Sequence, residues 1–268
     1  MLNPENQALK ILISGIHVEV KTLLCIDTVG ALGIPHTGVF GFLKMLSPLI
    51  KKQQFMETNA ASNVQVLLHV LALHESRGPF RPTLMQIDEA SSQVLEQLWF
   101  LGGHGDVAKD DEYGCIGDIV LAWCVANLEK HAGIVFDEAK LAVRFDRMDA
   151  DVPVSGVAPS ALAWHDSIGD PVKGLWPLMG RHTRVPNVQA AEGKRTNESV
   201  HVTARLRGYG SSRGRPAVPG HSLEPREGSF VWRRDGSQSS DGGDESFILH
   251  EAALSSREAQ LLGISLAT

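Results

Sequence analysis

The chain has 268 residues, of which 43% are hydrophobic and 21% are charged, the balance of an ordinary soluble globular protein. Its formal net charge of -6 argues against a general nucleic-acid-binding protein, because such proteins present clustered positive charge. No run of about 18 apolar residues occurs, so we expect no transmembrane helix, and any membrane contact would be peripheral. The cysteines fit no zinc spacing and lie beside apolar residues, and the N-terminus does not resemble a signal peptide. Both features favour a cytoplasmic protein with reduced thiols.

The predicted elements of the first half alternate between strands and helices, which favours an α/β fold. Residues 9–20 and the apolar run 23–26 are predicted strands, and residues 39–50 form either a short lid-like helix or a buried loop. Apolar residues at i, i+3 and i+4 then predict a helix over 64–72, capped by Ser62 or Asn63. Residues 94–101 predict another strand. Next come a buried helix over 119–131, capped by Asp118 and closed by Gly133, and a short helix with Phe136, Leu141 and Phe145.

The composition changes beyond residue 150. Prolines and glycines become frequent and apolar periodicity weakens, which predicts an irregular extension over 151–268. Within it, 200–206 alternates loosely as a strand would, 208–244 is expected to be flexible, and 251–262 could form a short helix. The first domain is accordingly placed at residues 1–150.

A single carboxylate marks the end of the second predicted strand. Asp27 follows an apolar run and precedes Thr28 and a stretch that contains Gly30 and Gly33. Open α/β sheets place their chemistry at the carboxyl ends of strands, so Asp27 is a candidate catalytic acid. The alternative is that Asp27 only caps the loop by accepting hydrogen bonds from nearby backbone amides.

A histidine stands in the corresponding place after the strand at 94–101. His104 is flanked by Gly102, Gly103 and Gly105, which let the backbone turn sharply and leave room for the imidazole. Such a histidine is a natural general base, and the alternative is a turn residue without a task. The acidic residues that follow do not have the spacing of a calcium loop, and no metal or cofactor site is predicted.

Four ordered stretches together resemble one known family. They are Cys-Ile-Asp-Thr-Val-Gly-Ala-Leu-Gly-Ile-Pro at 25–35, Ala-Leu-His-Glu-Ser-Arg-Gly-Pro-Phe-Arg-Pro-Thr-Leu at 72–84, Trp-Phe-Leu-Gly-Gly-His-Gly-Asp-Val at 99–107 and Gly-Asp-Ile-Val-Leu-Ala-Trp at 117–123. They resemble the DUF2235 family, an α/β-hydrolase family similar to the catalytic domain of type VI secretion phospholipase effectors, in a form that looks fungal. The resemblance covers roughly residues 11–145.

The resemblance implies a partial α/β-hydrolase-like sheet and a Ser-His-Asp hydrolase that acts on lipid esters without a cofactor. In that scheme a serine attacks the acyl carbonyl, a histidine takes its proton and a carboxylate orients the histidine. By motif, Asp27 matches the acid and His104 the base. Asp106 remains an alternative acid.

The nucleophile of that family lies upstream of the acid, in a Gly-x-Ser-Arg-Gly elbow. No strand–Gly-x-Ser-x-Gly–helix unit precedes Asp27, so we expect the chain to be an N-terminally incomplete member. The letters Gly-Ser-Ser-Arg-Gly at 210–214 fit the elbow pattern, but Arg215 and Pro216 follow where a helix should begin. Two functions therefore stay open: a phospholipase or other lipid-ester hydrolase domain, and a non-catalytic remnant or pseudoenzyme that binds a partner.

Overall fold

The computed structural model describes residues 18–29, 59–78, 80–109, 116–145, 181–187, 192–208, 217–226, 229–236 and 247–264. Their strands, in chain order, are β1 Val20–Ile26, β2 Val64–Ala72, β3 Ile87–Asp88, β4 Val94–Phe100, β5 Lys194–Arg195, β6 Glu198–His201, β7 His221–Arg226, β8 Ser229–Arg234 and β9 Ile248–Ala252. Within this part of the chain, one seven-stranded sheet has the order β1-β2-β4-β6-β9-β8-β7. Neighbouring strands from β1 to β9 in that order run parallel, whereas β8 and β7 are antiparallel additions. β3 and β5 form a separate antiparallel pair. The α/β fold class is thereby confirmed.

The helices are α1 Ile116–Asn127, α2 Glu138–Phe145, α3 Thr203–Gly208 and α4 Ser256–Leu261. α1 is buried on nearly all sides, as its apolar composition predicts, and continues into a π-helical turn over Leu128–Ala132. Gly133 ends this turn at φ 68, a left-handed conformation that favours glycine. α1 begins three residues before the predicted start, and Asp118 lies inside its first turn, where it pairs with Arg144 of α2. None of the described helices is long and apolar enough to cross a membrane.

The prediction of a helix over 64–72 is wrong, because these residues form the central strand β2. The strand lies between β1 and β4 and is buried on both faces, with Leu68, Val70 and Leu71 fully buried. A parallel strand covered on both sides carries a continuous apolar run instead of an alternating one. In a run of nine residues, apolar residues also fall by chance at helical spacing. Periodicity alone therefore cannot distinguish a buried strand from a helix here.

The part of the chain beyond residue 150 is more ordered than predicted at the residues described. β6 pairs with β4 in the middle of the sheet, and β7, β8 and β9 extend it. The predicted strand at 200–206 is β6 followed by α3, and the predicted helix at 251–262 is β9 followed by α4. β7 and β8 lie inside 208–244, so two strands occupy part of the stretch for which flexibility is predicted. The rest of that stretch, like 9–17 and the candidate lid at 39–50, lies outside the described residues.

The sheet encloses the main core together with α1. Trp99 and Phe100 at the end of β4 are about 1% exposed, and the Phe100 ring meets that of Trp123 in α1 edge to face. Cys124 of α1 is a free buried thiol, and burial together with the charge of Glu258 raises its pKa to about 12. Because the end of β4 is packed against α1, the start of the turn that carries His104 has a defined position.

Candidate active site

Asp27 and His104 meet at the carboxyl edge of the sheet. Asp27 directly follows β1, and His104 lies in the glycine-rich turn after β4. Because β1, β2 and β4 are parallel neighbours, their carboxyl ends share one edge. The Nδ1 atom of His104 lies 2.7 Å from Oδ2 of Asp27, a short hydrogen bond between an imidazole and a carboxylate. Two residues that are 77 positions apart in the chain thus form an acid–base pair.

Asp27 is fully buried and held in a strained conformation. Its φ is 46, in the left-handed region that residues other than glycine seldom adopt. Oδ1 accepts hydrogen bonds from the Ala72 amide at 3.0 Å and from Nη1 of Arg184 at 2.6 Å, and Oδ2 accepts one from Nη2 of Arg184 at 3.1 Å. Burial by itself would raise the pKa of Asp27, but the hydrogen bonds from His104 and Arg184, with the arginine's charge, outweigh it and lower the pKa. Asp27 is therefore held as a carboxylate.

Arg184 was not anticipated from the sequence, although it is the counter-ion of Asp27. Its side chain is fully buried, and besides the two bonds to Asp27 it donates from Nη1 to the Ala72 carbonyl at 2.7 Å and from Nη2 to the Phe80 carbonyl at 2.5 Å. It lies in the segment interpreted as an irregular extension, where a lone arginine carries no signal of burial. One guanidinium thus joins the ends of β1 and β2 to the loop after β2.

The imidazole of His104 is half-buried, with 34% of its side chain exposed. The ring of Phe80 meets it edge on, with centroids 5.0 Å apart, and the guanidinium of Arg77 lies 3.8 Å above the Phe80 ring. The backbone amide of His104 donates to Oε2 of Glu75 at 3.3 Å, and Glu75 forms a bidentate pair with Arg77. The imidazole of His104 is therefore held through the residue's backbone and one ring face and remains accessible to a small molecule.

The glycine turn before His104 depends on the absence of a side chain at Gly102. Its φ is +95, and a Cβ placed there would lie 2.8 Å from Cβ of Asp106. Asp106 accepts a hydrogen bond from the Gly103 amide on Oδ2 at 2.7 Å, which closes the turn. The geometry thus places Asp27 against the imidazole, and it places a carboxylate oxygen of Asp106 against the backbone of the turn.

Two buried histidines position the loops that carry the pair. The Thr28 amide donates to Nε2 of His69 at 3.2 Å, so Nδ1 carries the proton and donates to Oε1 of Gln97 at 3.0 Å. The Gly102 amide donates to Nδ1 of His74 at 3.2 Å. His69 therefore holds the residue after Asp27, and His74 holds the turn before His104.

No metal-binding group of three or more His, Cys, Asp or Glu side chains occurs among the described residues. Within the same residues, the side-chain hydrogen bond of His104 goes to Asp27, and no serine, threonine or cysteine is bonded to the ring. The sequence 210–214, which fits the elbow letters, lies outside the described residues. The arrangement is thus an imidazole that is hydrogen-bonded to an ionised carboxylate.

A comparison with known protein families matches the part of the chain that holds Asp27 and His104. Residues 5–127 match the family described as "T6SS, Phospholipase effector Tle1-like, catalytic domain". No curated protein and no solved structure matches the chain at a significant level. The matched stretch holds Asp27 and His104 and ends with α1, whereas Arg184 lies beyond it. Over residues 5–127 the chain is therefore similar to the catalytic domain of type VI secretion phospholipase effectors of the Tle1-like kind.

Proposed function

We propose that the chain supplies the acid and the base of a lipid-ester hydrolase in which Asp27 orients His104. The observation that carries the proposal is the 2.7 Å contact between Nδ1 of His104 and Oδ2 of the buried Asp27. An ionised carboxylate at this position accepts the Nδ1 proton, so the lone pair of the neutral ring is on Nε2. His104 is then a base with one defined reactive nitrogen.

The reaction class follows from this tautomer together with the family. A serine hydroxyl adds to the ester carbonyl while Nε2 of His104 takes its proton, and the resulting imidazolium is stabilised by Asp27. Collapse of the tetrahedral intermediate breaks the ester bond, and the leaving alcohol takes the proton back from His104. Water then hydrolyses the acyl-enzyme by the same steps. The serine stays unassigned among the described residues, and phospholipid esters are the substrates that the family favours.

The test is hydrolysis of a short-chain phosphatidylcholine and a p-nitrophenyl ester by the purified chain and by His104→Gln and Asp27→Asn. His250→Gln is the matched control, because His250 is an exposed histidine of β9. Loss of a triad member typically costs roughly 10⁴–10⁶-fold in rate. We expect both site variants to lose at least about 10⁴-fold in rate while the circular dichroism spectrum stays that of a folded chain, and His250→Gln to keep the wild-type rate. Equal rates in all four proteins would refute the proposal.

A second candidate function is a non-catalytic module that binds a partner or a lipid. It is favoured by one observation: in the described part of the chain, no nucleophilic side chain is bonded to His104. A fluorophosphonate probe separates the two candidates. Covalent labelling that is lost in His104→Ala supports the hydrolase and names the serine by peptide mapping, whereas a folded chain with neither labelling nor hydrolysis supports the binding module.

A further inference from the structure

Phe80 lies beside both members of the acid–base pair. The centroid of its ring is 5.0 Å from that of the His104 imidazole, and the two ring planes cross at 62°. The backbone carbonyl of Phe80 accepts a hydrogen bond from Nη2 of Arg184 at 2.5 Å, and the same nitrogen donates to Oδ2 of Asp27 at 3.1 Å. Phe80 therefore contacts the imidazole directly and is joined to the carboxylate through one guanidinium.

The ring of Phe80 is in turn held by Arg77. The Phe80 amide donates to the Arg77 carbonyl at 3.0 Å, which closes a turn and brings the arginine side chain over the ring. The guanidinium lies 3.8 Å from the ring centroid, within the range of a cation–π interaction. Because a guanidinium is planar, it stacks on an aromatic face as the ammonium of a lysine cannot.

Arg77 is fixed by Glu75, which also binds His104. Nε and Nη2 of Arg77 donate to the two carboxylate oxygens of Glu75 at 3.0 and 2.7 Å. The Glu75 side chain is fully buried, and its Oε2 also accepts the backbone amide of His104 at 3.3 Å. The contacts thus run from the His104 backbone through Glu75, Arg77 and Phe80 to the His104 ring. This closed chain of contacts sets the ring relative to its own backbone.

The imidazole of His104 needs such a restraint to stay on Asp27. The torsion of a histidine ring about its Cβ–Cγ bond is broad and roughly two-fold. A half-turn about that bond would place a carbon atom instead of Nδ1 opposite Asp27 and so break the 2.7 Å hydrogen bond. Water competes for this bond, because 34% of the His104 side chain is exposed. An aromatic ring packed against the imidazole narrows the rotation.

We propose that Phe80, with Arg77 stacked on it, is a positioning residue that keeps Nδ1 of His104 on Asp27. Its catalytic consequence rests on the proposed function, because a hydrolase uses the lone pair that this orientation leaves on Nε2. The orientation of the ring does not rest on that function and is measurable in an inactive chain. Loss of the Phe80 ring should loosen the hydrogen bond between His104 and Asp27 while the chain stays folded.

The test follows the Nδ1 proton of His104 by NMR in the full chain labelled with ¹⁵N at histidine. The signal is assigned by its absence from His104→Gln, and the measured quantity is the rate at which this proton exchanges with water. Phe80→Leu removes the aromatic ring, whereas Phe80→Tyr keeps it. Arg77→Lys keeps a positive charge beside Glu75 but removes the planar stack on Phe80.

The chain offers a matched control, because Arg205 pairs with Glu251 and lies 4.1 Å over the ring of Phe230. The control variants are therefore Phe230→Leu and Arg205→Lys. We expect the exchange to be roughly 2–10-fold faster in Phe80→Leu, the range that loss of an aromatic pair allows. Arg77→Lys should also exchange faster than wild type, and Phe80→Tyr and both controls should match wild type.

Three outcomes would overturn the inference. Equal exchange rates in Phe80→Leu and wild type would show that the ring does not hold the imidazole. An equal acceleration in Phe230→Leu would indicate a general loss of stability, and absence of the signal from wild type would contradict the orientation of His104 itself. If Phe80→Leu does not fold, the comparison of Arg77→Lys with Arg205→Lys decides in the same way.

Ester hydrolysis by the same proteins separates this inference from the proposed function. In an active chain, kcat of Phe80→Leu should fall by the same factor as the exchange rate rises, with KM unchanged. A wild-type chain that shows the Nδ1 signal but no hydrolysis would overturn the proposed function alone. An active chain whose Phe80→Leu variant keeps the wild-type exchange rate would overturn this inference alone.

Discussion

Replacing Arg184 by methionine is expected to destabilise the protein strongly, because the change leaves a buried carboxylate without its cation. Arg184 donates four hydrogen bonds, two to Asp27 and one each to the carbonyls of Ala72 and Phe80. Methionine fills similar volume but donates none of them. Both side chains of the ion pair are fully buried, so solvent does not compensate for the loss.

The magnitude follows from the burial of the pair. Removing one partner of a buried ion pair costs about 3–5 kcal/mol, against a total free energy of unfolding of about 5–15 kcal/mol for a typical protein. Asp27→Asn removes the negative charge, so the arginine loses its counter-ion as well. In Arg184→Met with Asp27→Asn the two charges leave together, and we expect the double variant to be more stable than the sum of the single effects predicts, by about 1–3 kcal/mol.

The assay is urea unfolding of the four proteins of this cycle, followed by tryptophan fluorescence. The matched control is Arg233→Met, since Arg233 pairs with Glu224, whose side chain is 40% exposed. Pairs of that kind contribute about 0–1 kcal/mol. The reasoning would be refuted by an Arg184→Met cost no larger than that of Arg233→Met, or by single effects that add within about 0.5 kcal/mol. If Arg184→Met does not fold, Arg184→Lys keeps the charge without the planar fork and replaces it in the cycle.

Three further predictions test the surroundings of the site. Gly102→Ala forces a side chain into a left-handed conformation and should cost about 1–3 kcal/mol in urea unfolding, whereas Gly105→Ala, which meets nothing within 4 Å, should change the free energy of unfolding by under about 1 kcal/mol. Burial lowers the pKa of His69 in the folded protein. At pH values below the ordinary histidine pKa of about 6.5, the unfolded chain therefore binds more protons than the folded chain does. The free energy of unfolding should fall from pH 7 toward pH 5, and His69→Gln, unlike His250→Gln, should reduce that slope by up to about 1.4 kcal/mol per pH unit. The Cys124 thiol, with a pKa of about 12, should resist iodoacetamide at pH 8 until urea unfolds the chain, as peptide mass spectrometry will show.

The sequence located Asp27 and His104 because both follow apolar runs that end in glycine-rich turns. An apolar run marks a buried strand, a glycine marks the turn at its end, and a parallel sheet brings such ends together. The helix α1 was equally predictable from the sequence, since its run of apolar residues is longer than a strand. These are local signals, readable without knowledge of what packs against them.

The parts that were missed depend on contacts distant in the chain. β2 resembles a helix in sequence because burial on both faces removes the alternation of a strand. Pro225 lies in β7, the last strand in the sheet order, where a missing backbone donor is tolerated. Arg184 is a lone charged residue, and only the folded chain shows that its partner is 157 positions away. Burial of a charge is a property of the pair and leaves no pattern in either segment.

The site links both parts of the chain that the composition separates at residue 150. β6 pairs with β4 and lies beyond that point, as does Arg184. Two side chains of β4 also reach across it: Trp99 donates from Nε1 to Glu198 at 2.8 Å, and Gln97 donates from Nε2 to the Thr196 carbonyl at 2.6 Å. A fragment 1–150 would therefore lose the pairing of β4 with β6 and both of these hydrogen bonds.

We predict that this fragment does not unfold cooperatively, because it exposes the edge of a buried strand and leaves Asp27 without its cation. The measurement compares soluble yield and urea unfolding of residues 1–150 with those of the full chain. A fragment that unfolds in one sharp transition at the same urea concentration would show that residues 1–150 are a complete domain. In that case the contacts of Arg184, Glu198 and Thr196 would add nothing to stability. Aggregation of the fragment and recovery of solubility in the full chain would show instead that the acid of the site is completed by a segment outside the family match.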